Sequence, residues 1–148
     1  MSSQDVTVPF SHSNINIETD FPHKKSTYLT TENERRFHAA LVSALPMEYC
    51  VHCQTSLMAL VQPINRKDNA RTWAKRMDFV VTDRYTKIIA VIELDDRTHE
   101  WEHRKKRDRY VNAILEGHHK LIRFQSKRIY SSDEIATKLA LELELPMS

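Results

Sequence analysis

Apolar residues recur along the chain in two patterns, one typical of amphipathic helices and one typical of buried strands. The segment TENE is a capping box, with Thr31 at the N-cap and Glu34 three residues later. Apolar side chains then recur at helical spacing from Phe37 to Leu45, and Pro46 ends the pattern. The sequence therefore predicts a first helix that begins after Thr31.

The next segments are predicted to form three strands and one short helix. Residues 49–55 have the composition of a strand, residues 56–61 that of a short helix, and the polar residues 63–72 that of a loop. The segments MDFVVT and IIAVIEL are apolar on both faces, which predicts central strands of a sheet that is covered on both sides. The link between them is short enough for a hairpin.

The last part of the chain returns to helical spacing. A helix is predicted from about Glu100 to Glu116, and Gly117, the only glycine, stands where a left-handed C-cap is needed. The segment KLIRF is predicted as a further strand, and Ser131 or Ser132 as the cap of a last helix. The order is helix, strand, strand, strand, helix, strand, helix. It predicts an α/β fold with a mixed central sheet flanked by helices.

Length and composition predict one domain and leave its partners open. The chain has 148 residues and a formal net charge of +2. Residues 1–28 are polar and lack periodicity, so we expect an extended or disordered arm, open to a protein partner, before a single domain at 29–148. No run of about 18 apolar residues and no signal-peptide pattern is present, which favours a soluble, cytoplasmic protein without membrane partners. The oligomeric state is open, a homodimer included.

Acidic residues lie at the ends of the two apolar strands. A hairpin in which Asp83 pairs with Ile88 places Asp78 directly opposite Glu93 on the same face. Asp95, two residues beyond Glu93, projects from that face as well. A divalent cation with oxygen ligands, Mg²⁺ or Mn²⁺, would relieve the repulsion between these carboxylates. The alternative is a structural salt-bridge network with nearby Arg and Lys side chains.

Basic residues are concentrated in two runs on either side of these acids, NRKDNARTWAKR at 65–76 and HRKKRDR at 103–109. Two such runs around a carboxylate cluster indicate a polyanionic partner, whereas a single run is as often a solvated surface. The candidate DNA-binding residues are Arg66, Lys67, Arg71, Lys75, Arg76, Arg104, Lys106 and Arg107.

A second hypothesis comes from His99–His103, whose sequence HEWEH fits the H-E-x-x-H pattern of zinc peptidases. That chemistry needs a third zinc ligand from a further element, and no convincing one follows in the sequence. It also leaves Asp78 and Glu93 without a role. A cation-dependent nuclease, in which Asp78 and Glu93 hold the metal and the basic runs contact a nucleic acid, is therefore preferred to the peptidase hypothesis.

Four segments together resemble the DUF2726 family: LTTENERRFHAALVSALP, RMDFVV, AVIELDDRTHEWEHRKKRD and LIRF. That family is a branch of the PD-(D/E)xK restriction-endonuclease-like superfamily, akin to the very-short-patch repair and DUF559 nucleases. The resemblance covers about Leu29 to Leu139. It implies a restriction-endonuclease-like α-β-β-β-α-β core, the order obtained above from the pattern.

The resemblance also implies roles for individual residues. Asp78 and Glu93 would be the metal ligands of the second and third strands, and Glu34 the glutamate that helix one turns towards the site. Asp95 stands where the superfamily has a lysine that orients the attacking water and stabilises the transition-state charge. His99 is the first candidate for that task. The alternative donors are Lys75, Lys106 and Arg107.

The leading hypothesis is a Mg²⁺- or Mn²⁺-dependent endonuclease that cuts or nicks DNA. In it Asp78, Glu93 and Asp95 hold the metal, and His99 serves as general acid or base. The alternative is a catalytically inactive module that keeps the nuclease fold and binds DNA or a protein partner.

Overall fold

The computed structural model of the chain describes residues 15–96 and 101–144, a mixed α/β fold with one four-stranded sheet. The strands are β1 (Cys50–Ser56), β2 (Arg76–Thr82), β3 (Ile88–Asp95) and β4 (Leu121–Gln125). The helices are α1 (Ile17–Asp20), α2 (Glu32–Ala44), α3 (Leu57–Leu60), α4 (Asn69–Ala74), α5 (Trp101–Leu115) and α6 (Ser132–Leu143), and a 3-10 turn at Arg66–Asp68 precedes α4. The predicted order of the main helices and strands is confirmed.

The strand order in the sheet is β1-β2-β3-β4. Strands β1, β2 and β3 pair antiparallel, and β4 pairs with β3 in parallel after the chain has passed through α5. A parallel neighbour needs such a crossover because the chain must return to the same end of the sheet. The central strands β2 and β3 are therefore covered on both faces, as their apolar sequences predict.

The register of the β2–β3 hairpin follows the prediction in its centre and departs from it at the turn. Phe79 pairs with Ile92, as predicted, but Thr82 rather than Asp83 pairs with Ile88. A β-bulge between Val81 and Thr82 absorbs the one-residue difference. The predicted Asp83–Ile88 pair is therefore wrong.

The turn itself explains this departure. The Asp83 carboxylate accepts hydrogen bonds from the amides of Tyr85 and Lys87, at 2.8 and 2.9 Å, and thereby organises a five-residue loop. The Asp83 amide donates to the carbonyl of Lys87. These bonds withdraw Asp83 from the ladder.

Two hydrophobic cores lie on opposite faces of the sheet. On one face, α2 and α6 pack against β2, β3 and β4, and Phe37 lies at the centre, with its ring 5.3 Å from Phe79 and 5.1 Å from Phe124 between centroids. On the other face, α3 and α5 pack against Met77, Val80 and Val91. The fold thus has three layers, helix, sheet and helix.

Local signals set the ends of the main helices as predicted. The Thr31 side chain accepts from the Glu34 amide while the Glu34 carboxylate accepts from the Thr31 amide, which completes the capping box of α2. Ser131 caps α6 by accepting from the amide of Glu134. Gly117 follows α5 with φ +76°, a left-handed conformation that residues with a Cβ rarely adopt.

The prediction of a loop at 63–72 is wrong, since the segment contains the 3-10 turn and α4. Its composition is polar, but a contact with a distant helix holds it. Thr72 is buried, and its hydroxyl lies 3.2 Å from that of Tyr110 on α5. The Arg71 guanidinium stacks on the same tyrosine ring, 3.7 Å from its centroid. Tertiary packing therefore overrides the local preference for a loop.

Of the predicted N-terminal arm, residues 15–28 are described. They contain the single short helix α1 and no strand. Within 15–96 and 101–144, no helix is both long and apolar enough to cross a membrane.

The fold generates a stability prediction at Phe37, which is fully buried among aromatic rings. Phe37→Ala should lower the free energy of unfolding by about 3–5 kcal/mol, because it removes a buried ring and leaves a cavity. Val42→Ala on the same helix is the control, since Val42 is 49% exposed and should change stability by less than about 1 kcal/mol. Urea denaturation of both variants measures the difference, and equal losses would contradict this core.

Candidate active site

Asp78 and Glu93 lie next to each other at one end of the β2–β3 hairpin. They occupy the positions directly beyond the Phe79–Ile92 pair, at the end opposite the turn. Alternation along the strands places them on the face of Val80 and Val91, which α5 covers. Glu93 is only 7% exposed and Asp78 is half-buried, so the sheet brings two acidic side chains together where water has limited access.

This proximity changes the protonation of Asp78. Its pKa is raised to about 7, first by burial of the carboxyl group and then by the hydrogen bond and negative charge of Glu93. The Leu94 amide donates to Asp78 Oδ2 at 2.8 Å, and this bond, together with the charge of Lys75, acts in the opposite direction. The pair therefore resists carrying two negative charges without a cation.

Lys75 supplies one cation to this pair. It follows α4 directly, and its Nζ lies 3.2 Å from Glu93 Oε1. The Lys75 carbonyl accepts from the amide of Leu57, which ties this position to the start of α3. The contact with Glu93 has the distance of an ion pair without the geometry of a hydrogen bond. Within the described part of the chain Glu93 Oε1 is thus a buried oxygen with no hydrogen-bond donor.

Asp95 has a different partner. Arg123 on β4 donates to Asp95 Oδ1 at 2.8 Å and to Asn112 Oδ1 on α5 at 3.0 Å. In the parallel register Arg123 is paired with Glu93, so the Arg123 side chain must extend along the sheet to reach Asp95. Arg123 was missed in the sequence, although a strand LIRF beside β3 could have indicated it.

Glu34 lies in the first turn of α2, and its carboxylate contacts the helix cap and strand β1. Beyond the capping box with Thr31, Glu34 Oε2 accepts from the Gln54 side chain at 3.3 Å. Gln54 is one of three non-glycine residues with positive φ among the described residues, at 53°. No sequence signal indicated this conformation, because glutamine has no preference for it.

The predicted phosphate-contacting residues fall into three groups. Arg66, Lys67, Arg76 and Lys106 are exposed. Arg71 and Lys75 are engaged by Tyr110 and Glu93. The side chains of Arg104 and Arg107 lie outside the described residues, and so does His99 together with residues 97–100.

Three or more His, Cys, Asp or Glu side chains do not gather into a metal-binding group anywhere in 15–96 or 101–144. What the site provides is a pair of carboxylates with Lys75 beside it, and a third carboxylate held by Arg123.

The raised pKa of Asp78 generates a pH prediction for the protein in EDTA. Between about pH 4 and pH 7 Asp78 is protonated in the folded state and ionised in the unfolded state. The folded state therefore binds one more proton than the unfolded state in this range. The stabilisation that this proton gives the folded state is fully present below the ordinary aspartate pKa and is lost as the pH rises towards 7. As the pH rises through this window, the ionisation of Asp78 should lower the free energy of unfolding by up to about 1.4 kcal/mol per pH unit.

Asp78→Asn should remove this contribution, whereas Asp133→Asn, at an exposed position on α6, should retain it. Urea denaturation at several pH values between 5 and 8 gives the difference between each variant and the wild type. A difference between the wild type and Asp78→Asn that does not vary with pH would show that Asp78 titrates normally.

Comparison with known proteins yields one match. The model of a family described as "Protein of unknown function (DUF2726)" matches residues 26–143. No curated protein and no solved structure matches the chain. The match spans all elements from α2 to α6, including both strands of the candidate site. The chain belongs to the DUF2726 family.

Proposed function

We propose that this protein is a Mg²⁺- or Mn²⁺-dependent endonuclease that hydrolyses DNA phosphodiester bonds. The observation that carries the proposal is the pair formed by half-buried Asp78 and buried Glu93, with Lys75 Nζ 3.2 Å from Glu93. Two carboxylates and a lysine are the functional groups that the PD-(D/E)xK nucleases use. The proposal therefore assigns the chain to that superfamily and to its restriction-endonuclease-like fold.

The topology supports this assignment. A helix, an antiparallel three-stranded unit, a crossover helix and a parallel fourth strand follow in the α-β-β-β-α-β order of that superfamily. Asp78 lies on the second strand and Glu93 on the third, where the superfamily has its two acids. Because many unrelated activities share a fold, the site rather than the topology is the stronger support.

The residues present fit a bound divalent cation. Mg²⁺ commonly uses only one or two protein carboxylates and takes its other ligands from water and substrate phosphates. Asp78 and Glu93 meet that number, and Glu93 Oε1, which is in ion-pair contact with Lys75, has no donor in hydrogen-bond geometry in the described part of the chain. A cation would also offset the burial of the Asp78 carboxyl group and the negative charge of Glu93, which both raise the pKa of Asp78.

A bound Mg²⁺ or Mn²⁺ would activate the attacking water and neutralise the charge that develops on the phosphate. Asp78 and Glu93 would hold that cation at the sheet end, because carboxylates repel a phosphate unless a cation lies between them. Lys75 holds its ammonium beside Glu93, where it takes the task of the lysine that Asp95 replaces. Lys75 reaches the site from the end of α4 rather than from β3. The β3 position of the superfamily lysine can therefore be occupied by Asp95.

The other predicted residues have supporting roles in this proposal. Asp95 is held by Arg123 and would contribute an oxygen at the edge of the cation site. His99 would act as general acid or base, a role that rests on its sequence position alone. Glu34, which accepts from Gln54, would have the role that the family resemblance implies, that of a helix-one glutamate turned towards the site. The exposed basic residues around α4 and on α5 would bind the phosphate backbone.

One observation favours the rival proposal, a catalytically inactive module that binds DNA or a protein. Lys75 and Arg123 already pair with Glu93 and Asp95, so two of the three acids are neutralised without a metal. Such a network can be purely structural. Activity measurements separate the two proposals.

The proposed nuclease should nick supercoiled plasmid in Mg²⁺ or Mn²⁺ and not in EDTA. Asp78→Asn should abolish nicking while DNA binding is retained or tighter, since a negative charge facing the phosphates is removed. Lys75→Ala should lower the nicking rate by ~10²–10³, the typical loss when one stabilising group is removed. Lys87→Ala, in the exposed turn at the far end of the hairpin, should leave the rate unchanged.

Agarose gel assays at several ratios of enzyme to DNA measure these rates. Plasmid that stays supercoiled throughout, together with a gel shift that persists, would favour the inactive module over the nuclease.

The basic run before β2 generates a second prediction. Arg66 and Lys67 are exposed on the turn that precedes α4, so neutralising both should weaken DNA binding in EDTA. The log–log dependence of the binding constant on salt should become flatter by about one unit for each cation removed. Arg84→Ala with Lys87→Ala, which removes the same charge from the hairpin turn, is the matched control and should leave the slope unchanged.

Fluorescence anisotropy over a range of salt concentrations measures both slopes. The same slope in both double variants would show that the basic run is only a solvated surface.

A further inference from the structure

Trp73 is an exposed aromatic side chain in the middle of the basic run. It lies on α4 and is 72% exposed, an unusual state for a residue type that is highly buried on average. Arg66, Lys67 and Arg76 are exposed on the same stretch of chain. Aromatic side chains among basic residues are characteristic of surfaces that bind single-stranded nucleic acids.

The backbone around Trp73 is held on both sides. The preceding Thr72 is buried against Tyr110, and Arg71 stacks on the same ring. On the following side, Lys75 is fixed by its ion pair with Glu93 and by its hydrogen bond from Leu57. The indole is therefore presented to solvent from a positioned segment, and a rigid aromatic side chain loses little entropy on binding.

The segment also places Trp73 close to the proposed reaction centre. Only Ala74 lies between it and Lys75, so the Cα atoms of Trp73 and Lys75 are at most about 7 Å apart. Successive phosphates of a duplex strand rise by about 3.4 Å each, and the two side chains can thus contact the same strand within a few nucleotides.

We propose that Trp73 stacks on an unpaired base of DNA whose backbone passes Lys75 and the Asp78–Glu93 pair. This inference rests on the proposed function and specifies its substrate class, namely DNA with single-stranded or unpaired positions beside the reacting phosphate. A base inside a duplex is stacked on both of its faces, so an indole gains a stacking surface only from a base that is unpaired or extruded. The flanking cations complement the charge of the strand.

The test is binding of the full-length protein in EDTA, measured by fluorescence anisotropy with three labelled probes of the same length. These are a single strand, the same strand with abasic sites in place of its bases, and the fully paired duplex. Trp73→Ala should weaken binding of the single strand by about tenfold or more, as loss of one stacked base does. Its effect on the abasic strand and the duplex should be within about twofold, and Trp73→Phe should restore most of the affinity.

Tyr85→Ala is the matched control. Tyr85 is 80% exposed and lies between Arg84 and Lys87, but in the turn at the opposite end of the hairpin from Asp78 and Glu93. It combines an aromatic ring with flanking cations away from the proposed site. Its loss should therefore leave binding of all three probes unchanged.

A direct measurement uses the emission of Trp73. The chain has two tryptophans, so Trp101→Phe leaves Trp73 as the only one. The single strand should quench this emission, and the abasic strand should not. Absence of quenching, or equal losses on all three probes in Trp73→Ala, would overturn the inference.

Failure of this inference and failure of the proposed hydrolysis are distinguishable, because binding is measured in EDTA and nicking in Mg²⁺. If plasmid nicking depends on Asp78 but the protein prefers duplex DNA whether or not Trp73 is present, only the proposed stacking is overturned. Trp73-dependent binding of single strands without any nicking would retain the stacking and remove the hydrolysis.

Discussion

The antiparallel register of β2 and β3 is the constraint on which the rest of the structure depends. These strands lie in the middle of the sheet, so a shift of one residue would move every side chain to the opposite face. The register that buries Phe79 and Ile92 under α2 and α6 necessarily turns Val80 and Val91 towards α5. It also brings Asp78 and Glu93 together. The packing of the cores and the position of the acids are thus determined by one alignment.

That alignment carries an electrostatic cost, which explains several surrounding features. Burial of the Asp78 carboxyl group, together with the hydrogen bond and negative charge of Glu93, raises the pKa of Asp78. The Leu94 amide and the Lys75 ammonium offset part of this increase. The Lys75 contact is an ion pair, and Glu93 Oε1 has no donor in hydrogen-bond geometry in the described ranges. A protein that needed only a stable sheet end could have apolar residues there, and the retained acids are the strongest support for the proposed chemistry.

The short helix α4 connects this acidic pair to the surface. Its buried Thr72 and stacked Arg71 attach it to Tyr110 on α5, so the crossover helix also positions Lys75 at the end of α4. Lys75, the proposed catalytic lysine, and Trp73, the proposed stacking residue, therefore lie on one segment that is held by its contacts with Tyr110. In this proposal a substrate strand that lies along α4 reaches the acids without any rearrangement of the sheet.

The sequence by itself determined the main helices and strands, their order, the central β2–β3 register and the juxtaposition of Asp78 with Glu93. These follow from short-range rules, namely capping, periodicity and the two-residue repeat of a strand, which act wherever the residues occur. Only the tertiary structure decided the bulge at Val81–Thr82, the formation of α4 and the partners of the acids. The chain has 22 Lys and Arg residues, and nothing in their spacing shows that Lys75 meets Glu93 while Arg123 meets Asp95. Such pairings depend on how distant elements pack, because a long cationic side chain can reach whichever carboxylate the fold brings near it.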